Sequence, residues 1–492
     1  MNKKDENSYG MILKRIFSFG GVQVFNVLVN LVRGKLVAVI LGSGGMGLNS
    51  LFNSATLTIQ QLGGLGLNLA LVKEVAANKE SGDLQVVITT GVRLITFTSL
   101  FAGTICFLLS PLLSLWSFGS YDYTISFMAL AASVCLGVGG TGYLAMLQGA
   151  GQVKRLSKAS IVGGLTGLCC GVPLYYFFGY SGIVPAIIIL SLAIFLFNFF
   201  SFRGCIEREK VSFSWSSHRP IVKKLISLGF VLMIGSLCVT LTNYIINIFV
   251  RIFGSVEDVG FFQAANSMTS QYVGVIFSAL ALDYFPRLSA IGNDSAKLRE
   301  VVNRQADIVT LIMTPLVLIL LLTAPWLIRL LLSKEFLVVT PLMRWLGLGV
   351  LIQAITFPLS YILISKDNKK IYIWLEVVMS NVVWIGCSIG FYYLFSLIGL
   401  GISLVVRSAI DIPVYYLVCK KLFGFDYTPK TALTLLICLA MGVGGFLLTL
   451  LPESQTFIWL PILLAISIAY SFVNLKYGLK KDRNPESPAP LT

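Results

Sequence analysis

Three helical stretches carry amides, hydroxyls and cations at spacings that could hold a polar, anionic cargo. At 100° per residue Gln23, Asn26, Asn30 and Arg33 fall within about 80° of one another, an amide stripe that ends in a guanidinium. Ser236, Thr240, Asn243, Asn247 and Arg251 repeat this arrangement, and Asn49, Asn53, Thr56 and Gln60 line one side of a third helix. Amides both donate to and accept from sugar-like hydroxyls, while an arginine fork matches phosphate or carboxylate oxygens. The plainer reading is that amides and hydroxyls only join helices, at about 0.6 kcal/mol per bond. Such joining needs no charge, so Arg33 and Arg251 are expected to meet cargo. Arg93 is open between the two readings, and Asn266 joins the polar set as the counterpart of Asn53. Asp283, Asp307 and Glu376 lie near helix ends, where they either pair with nearby basic loops or carry a coupling proton. Arg407 precedes Asp411 by one helical turn, which suits an ion pair.

The elements that position these side chains must sit in a bilayer. The chain is 56% hydrophobic and 12% charged with mean hydropathy +0.84, whereas soluble proteins carry about 25% charged residues. Its apolar residues form blocks long enough for helices to cross hydrocarbon, about 20 residues each. The hydropathy predicts an all-α polytopic membrane protein of about fourteen spans. They fall near 16–40, 47–72, 87–113, 123–147, 159–178, 182–202, 221–253, 259–283, 306–331, 341–364, 371–393, 399–419, 431–450 and 457–475. The first span is long, contains Arg33 and Lys35, and reads as retained rather than cleaved.

The net charge of +15 follows the topology rather than a nucleic-acid surface. Most of the 37 basic residues fall in alternate loops, including Lys73 and Lys79, Lys154 to Lys158, Arg203 to Lys224, Arg287 to Arg304, Lys366 to Lys370, and Lys420 to Lys430. The positive-inside rule then puts both termini in the cytoplasm and makes the number of spans even. Arg329, Lys334 and Arg344 fall near the outer interface and read as anchors. No G-x-x-x-x-G-K-[ST] motif and no C-x-x-C pair occurs, so no cofactor, metal or catalytic role is expected.

A short repeat divides the chain. Gly42, Ser43, Asn53, Ser54 and Thr56 match Gly254, Ser255, Asn266, Ser267 and Thr269, each set opening the second span of a six-span block. The expected organisation is an N-terminal six-helix lobe at 1–202, a cytoplasmic linker at 203–220 and a second six-helix lobe at 221–425. An additional helix pair at 426–476 and a disordered tail at 477–492 complete it.

The segments GKLVAVILGSGGMGLNSLFNSATLTIQQLGGLGLNLALVKEVA and FSALALDYFPRLSA resemble the polysaccharide transporter, or Wzx-type O-antigen flippase, family of the multidrug/oligosaccharidyl-lipid/polysaccharide exporter superfamily. The resemblance covers roughly 15–425. It implies two V-shaped lobes around a cationic cavity in a bacterial inner-membrane transporter. The implied cargo is an oligosaccharide on undecaprenyl diphosphate, moved from the cytoplasmic to the periplasmic leaflet by alternating access. Arg33 and Arg251 match the family's cavity cations. The expected partners are that lipid-linked oligosaccharide, the bilayer and glycan polymerase machinery, with a monomeric transport unit and no nucleic acid. Fourteen spans also resemble lipid II flippases. A multidrug/cation antiporter and a membrane glycan polymerase or ligase are the remaining alternatives; the first would favour deep acids, whereas the deep charges here are mostly basic, and the second would need long outer loops, which this chain lacks.

Overall fold

The computed structural model describes residues 3–79, 84–204, 215–291, 294–365 and 369–483. Within these, the side chains of 3–24, 26, 153, 215–217, 271–272, 275, 279, 282–283, 286, 369 and 477–483 lie outside the description. In chain order the helices are α1 (Lys3–Gly63), α2 (Leu67–Ala77), α3 (Leu84–Leu108), α4 (Ser110–Phe118), α5 (Thr124–Gly149), α6 (Val153–Phe178), α7 (Ile183–Arg203) and α8 (Trp215–Phe253). They continue as α9 (Val256–Ser289), α10 (Ser295–Leu331), α11 (Thr340–Ser365), α12 (Lys369–Tyr372), α13 (Ser380–Phe423), α14 (Pro429–Leu448) and α15 (Glu453–Arg483). A π-helical turn, Ile373–Met379, joins α12 to α13. The protein is an all-α polytopic membrane protein: among the described residues, ten stretches are long and apolar enough to cross a membrane. Three of these, Val27–Gly63, Lys154–Arg203 and Lys370–Phe423, are 37, 50 and 54 residues long. Helical geometry is interrupted inside the first at Gly42 and inside the third at Ser396.

Residues 1–264 with 331–335 form one compact unit, and 265–330 with 336–492 form another. In the first, α3, α5 and α7 pack around Leu71, Ile88, Ile95, Met146 and Phe202, all essentially buried. Helix α8 packs on α1 and α2 within this unit, although the repeat would start the second lobe at 221. The approach to α2 is close. Gly66 adopts φ 63°, and a Cβ there would sit 2.1 Å from the Gly229 carbonyl oxygen; a Cβ on Gly229 would lie 2.5 Å from that of Leu65. Only hydrogen fits at either position. Small residues that let backbones touch supply van der Waals packing where lipid offers no hydrophobic drive.

In the second unit, Tyr284, Leu298, Val302, Leu359, Ile362, Tyr415 and Cys419 form the core. Helix α15 is joined to α10 by Ser471 Oγ donating to Leu311 O at 2.7 Å and by Trp326 stacking on Phe457 at 5.4 Å. The turn before α14 is closed by Asp426. Its carboxylate accepts from the Tyr416 hydroxyl at 2.6 Å and the Lys420 ammonium at 3.1 Å, which together hold its pKa below the usual carboxylate range. Its backbone carbonyl accepts from Arg299 Nε at 3.0 Å and Asn303 Nδ2 at 3.1 Å.

One hairpin is built alike in both units. Tyr175-Tyr176-Phe177-Phe178-Gly179 and Tyr392-Tyr393-Leu394-Phe395-Ser396 each begin with a buried tyrosine, expose the next three side chains and then turn through left-handed φ. The backbone angles are φ 57°, ψ −130° at Gly179 and φ 50°, ψ −137° at Ser396. A left-handed φ costs a non-glycine residue about 1–2 kcal/mol. Three residues on, Gly182 and Gly399 press against the Leu174 and Phe391 carbonyls, where a Cβ would come to 2.2 and 2.0 Å. The short repeat has the same local correspondence. Thr56 and Thr269 each donate to the carbonyl four residues earlier, Phe52 and Ala265, both at 2.9 Å.

Two boundaries differ from those expected. Helix α8 begins at Trp215 inside the expected linker, and Pro220 falls in its second turn, where it removes one intrahelical donor. Helix α15 runs to Arg483, beyond the expected start of the tail at 477. The rest of the linker and tail, 205–214 and 484–492, lies outside the described residues.

Candidate functional site

Polar side chains of α8 meet those of the second half of α1. Asn247 Nδ2 donates to Ser50 Oγ at 3.4 Å, and Ser50 donates on to Gln263 Oε1 at 3.3 Å. One end of this ladder is Ser236 Oγ donating to Gln61 Oε1 at 3.1 Å. The Asn247 Oδ1 is buried without a protein partner. Asn53 folds onto its own helix, donating to Asn49 O at 2.7 Å and Asn49 Oδ1 at 2.9 Å, and Asn243 donates to Val239 O at 2.9 Å. Gln60 covers Gly137 of α5, whose Cβ, if present, would sit 2.5 Å from the amide nitrogen. The α8 stripe thus meets this part of α1 through Ser50 and Gln61, neighbours of the predicted stripe, whereas Asn49, Asn53 and Thr56 bond within their own helix.

The cations are placed differently. Arg251 is half-buried and grips the end of α4, with Nε donating to Ser117 O at 3.0 Å and Nη2 to Trp116 O at 2.9 Å. Beside it the Tyr244 and Ser117 hydroxyls are 2.7 Å apart. These carbonyls are the unsatisfied C-terminal acceptors of a nine-residue helix, so a guanidinium there also answers the helix dipole. Arg33 is half-buried and Asn30 exposed on the first half of α1; the Asn26 side chain lies outside the described residues. Arg93 is exposed on α3 and has interaction partners.

In the second unit Asn266 is half-buried. Asp307 accepts from Thr431 Oγ1 at 3.2 Å through one oxygen and has no partner on the other, while the Asp283 side chain lies outside the described residues. The predicted pair is present: Arg407 Nε lies 3.4 Å from Asp411 Oδ2. Sequence reading missed two acids that the fold employs. Glu74, nearly buried on α2, binds Lys224 Nζ of α8 at 2.7 Å. Glu335 accepts from the Ser43 amide at 3.3 Å and from the Ser43 hydroxyl, capping the helix that resumes after Gly42. Glu376, which the sequence offered either as a partner of the basic loops or as a proton carrier, accepts from the Tyr415 hydroxyl. A lone acid in an apolar helix, as at Glu74, was the available signal; the partners of Glu74 and Glu335 lie too far along the chain for spacing to reveal them.

Comparison with known proteins adds to this geometry. Residues 36–341 match the family described as "Polysaccharide biosynthesis protein". The chain is 26% identical over 361 residues to the lipid III flippases of Escherichia coli (strain K12) and Shigella flexneri, covering 70% of this chain and 83% of each relative. Among solved structures, an inward-facing multidrug resistance MATE family transporter of the MOP superfamily has a TM-score of 0.70 at 18% identity, covering 81% of this chain and 94% of its own. The lipid II flippase MurJ in its inward closed conformation also scores 0.70, at 14% identity, covering 95% and 99%. The fold is that of these proteins, which are named as transporters and flippases and not as enzymes.

Proposed function

Because the chain belongs to the polysaccharide biosynthesis protein family, we propose that it is a flippase for a lipid-linked oligosaccharide. The cargo is an undecaprenyl-diphosphate-linked repeat unit of the O-antigen or capsule type, carried from the cytoplasmic to the periplasmic leaflet of a bacterial inner membrane. The observation that carries the reading is the match to two lipid III flippases over 70% of the chain. The residues agree with it: a diphosphate and a glycan need cations, amides and water while the lipid tail remains in hydrocarbon. Arg33 leads the diphosphate site, with Arg93 beside it in role, and Arg251 joins once it releases the α4 carbonyls. Asn26, Asn30, Asn53, Gln60, Asn243, Asn247 and Asn266 meet sugar hydroxyls. Asp283 and Asp307 are candidate coupling acids.

The transport unit is a monomer of fourteen spans with both termini cytoplasmic, arranged as two six-helix lobes and a C-terminal pair. It works by alternating access and hands cargo to glycan polymerase machinery. Fourteen is consistent with ten membrane-crossing stretches, three of which turn internally at Gly42, Gly179 and Ser396 and so can each supply two spans, together with α9. A deletion strain tests the function: it should strand a lipid-linked oligosaccharide on the cytoplasmic face, identified by mass spectrometry. Drug sensitivity without a stranded lipid would instead indicate an antiporter. Accumulation of an unpolymerised glycolipid on the outer face would indicate a polymerase.

A further inference from the structure

A group of ionisable side chains inside the second unit is not used by the cargo site. Arg407 on α13 pairs with Asp411 at 3.4 Å and donates to Ser380 Oγ from Nε at 3.0 Å and Nη2 at 2.7 Å. Ser380 donates in turn to Asp411 Oδ2 at 3.2 Å, and the guanidinium lies 5.2 Å from the Trp384 ring centroid. One turn beyond Asp411, the Tyr415 hydroxyl bonds to Glu376 on the π-helical turn. Among the described residues, the ionisable groups near Glu376 are Tyr361 on α11, Tyr372 beside the turn, and Arg407, Asp411 and Tyr415 on α13. Of these only Arg407 is a cation.

Two independent features say that this cluster is one hydrogen short. First, it contains two carboxylates and one guanidinium within a stretch apolar enough to cross a membrane, so full ionisation leaves a net negative charge where charge is costly. Second, Asp411 is 5% exposed, yet its Oδ1 receives no hydrogen bond. The ion pair and Ser380 already stabilise Asp411 as an anion, whereas Glu376 faces a neutral hydroxyl. A π-helical turn is itself uncommon and often marks a working site.

We propose that Glu376 is an exchangeable proton site whose loading supplies energy to the transport cycle. A proton from the aqueous phase adds to a Glu376 carboxylate oxygen and gives the carboxylic acid; the cluster passes from one net negative charge to neutral. Tyr415, a donor to the carboxylate, then turns to accept from the acid. Arg407 stays the fixed counter-charge of Asp411. As an energy input this site rests on the transport reading; as a proton site it does not.

The test is pH-difference infrared spectroscopy on the full chain reconstituted in lipid without cargo. Wild type should show a protonated-carboxyl stretch that disappears as pH rises. The band should be absent in Glu376→Gln and kept in Asp411→Asn. In Tyr415→Phe, which removes a bond to the charged form, proton affinity should rise about tenfold. No titrating band, a band that survives Glu376→Gln, or a band lost only in Asp411→Asn overturns the assignment. Should Glu376→Gln fail to assemble, an unchanged midpoint in Tyr415→Phe overturns it equally. A missing band in a strain lineage whose deletion strands lipid-linked glycan refutes the proton site alone; a titrating band without stranded lipid refutes the cargo reading alone.

Discussion

Replacing Arg251 separates a brace from a cargo ligand. Its guanidinium donates to Ser117 O at 3.0 Å and Trp116 O at 2.9 Å, holding the end of α4 against α8. Hydrogen bonds from a charged donor contribute about 1.5–3 kcal/mol each. The side chain is half-buried, so water partly replaces them, and about 2–3 kcal/mol for the pair is a reasonable total. Arg251→Ala should therefore lower the unfolding midpoint of the purified protein, followed by a thiol-reactive dye in detergent. Arg251→Lys should recover about half of the loss, because one ammonium cannot span two carbonyls in a fixed fork. The reasoning fails if Arg251→Ala keeps the wild-type midpoint while abolishing glycan export, since the guanidinium would then serve cargo and not α4.

Other substitutions probe the frame around the site. Gly229→Ala should cost about 1–3 kcal/mol by forcing α8 off the Leu65 carbonyl, and Gly66→Ala should cost about 1–2 kcal/mol more for its φ of 63°; equal midpoints for both variants and wild type would exclude this close approach. Lys224→Ala removes the cation from the buried Glu74 carboxylate, leaving the Asn78 amide at 3.1 Å as partner, and should destabilise by about 1–2 kcal/mol. The added change Glu74→Gln should restore most of that loss in a double-mutant comparison. Asp426 has a depressed folded pKa, so its contribution is full above its unfolded value and disappears as pH falls through the folded one. Wild type and Asp426→Asn should hence differ in unfolding midpoint at neutral pH and converge in acid; a constant difference would contradict the assignment.

The membrane character of the chain was readable because hydrophobic blocks of span length need no partner to be recognised. The Arg407–Asp411 pair was readable for a similar reason: both members lie on one helix, one turn apart, and the structure sets them 3.4 Å from each other. What could not be read is instructive. Arg251 looked like a free cation because its partners are backbone carbonyls about 134 residues away, which leave no mark in side-chain types. Ser236 and Asn247 belonged to a recognisable stripe, but their partners Ser50 and Gln61 lay outside the stripe of the facing helix, because periodicity gives a face and not what the face meets. Glu335 caps Ser43 across 292 residues, and the break at Gly42 that creates the need for a cap could not be placed from hydropathy. The left-handed turn at Ser396 was hidden because serine, unlike its counterpart Gly179, does not advertise positive φ.

The central claim is lipid-linked glycan flipping, and reconstitution tests it most directly. Purified protein would be placed in vesicles containing an undecaprenyl-diphosphate oligosaccharide, and the glycan exposed on the outer leaflet would be destroyed by an added glycosidase. Wild-type vesicles should lose more than half of the glycan as inner-leaflet lipid is brought out, and vesicles with Arg33→Glu should stop at the half already exposed. Wild-type vesicles that also stop at half, with folded protein present, would contradict the account.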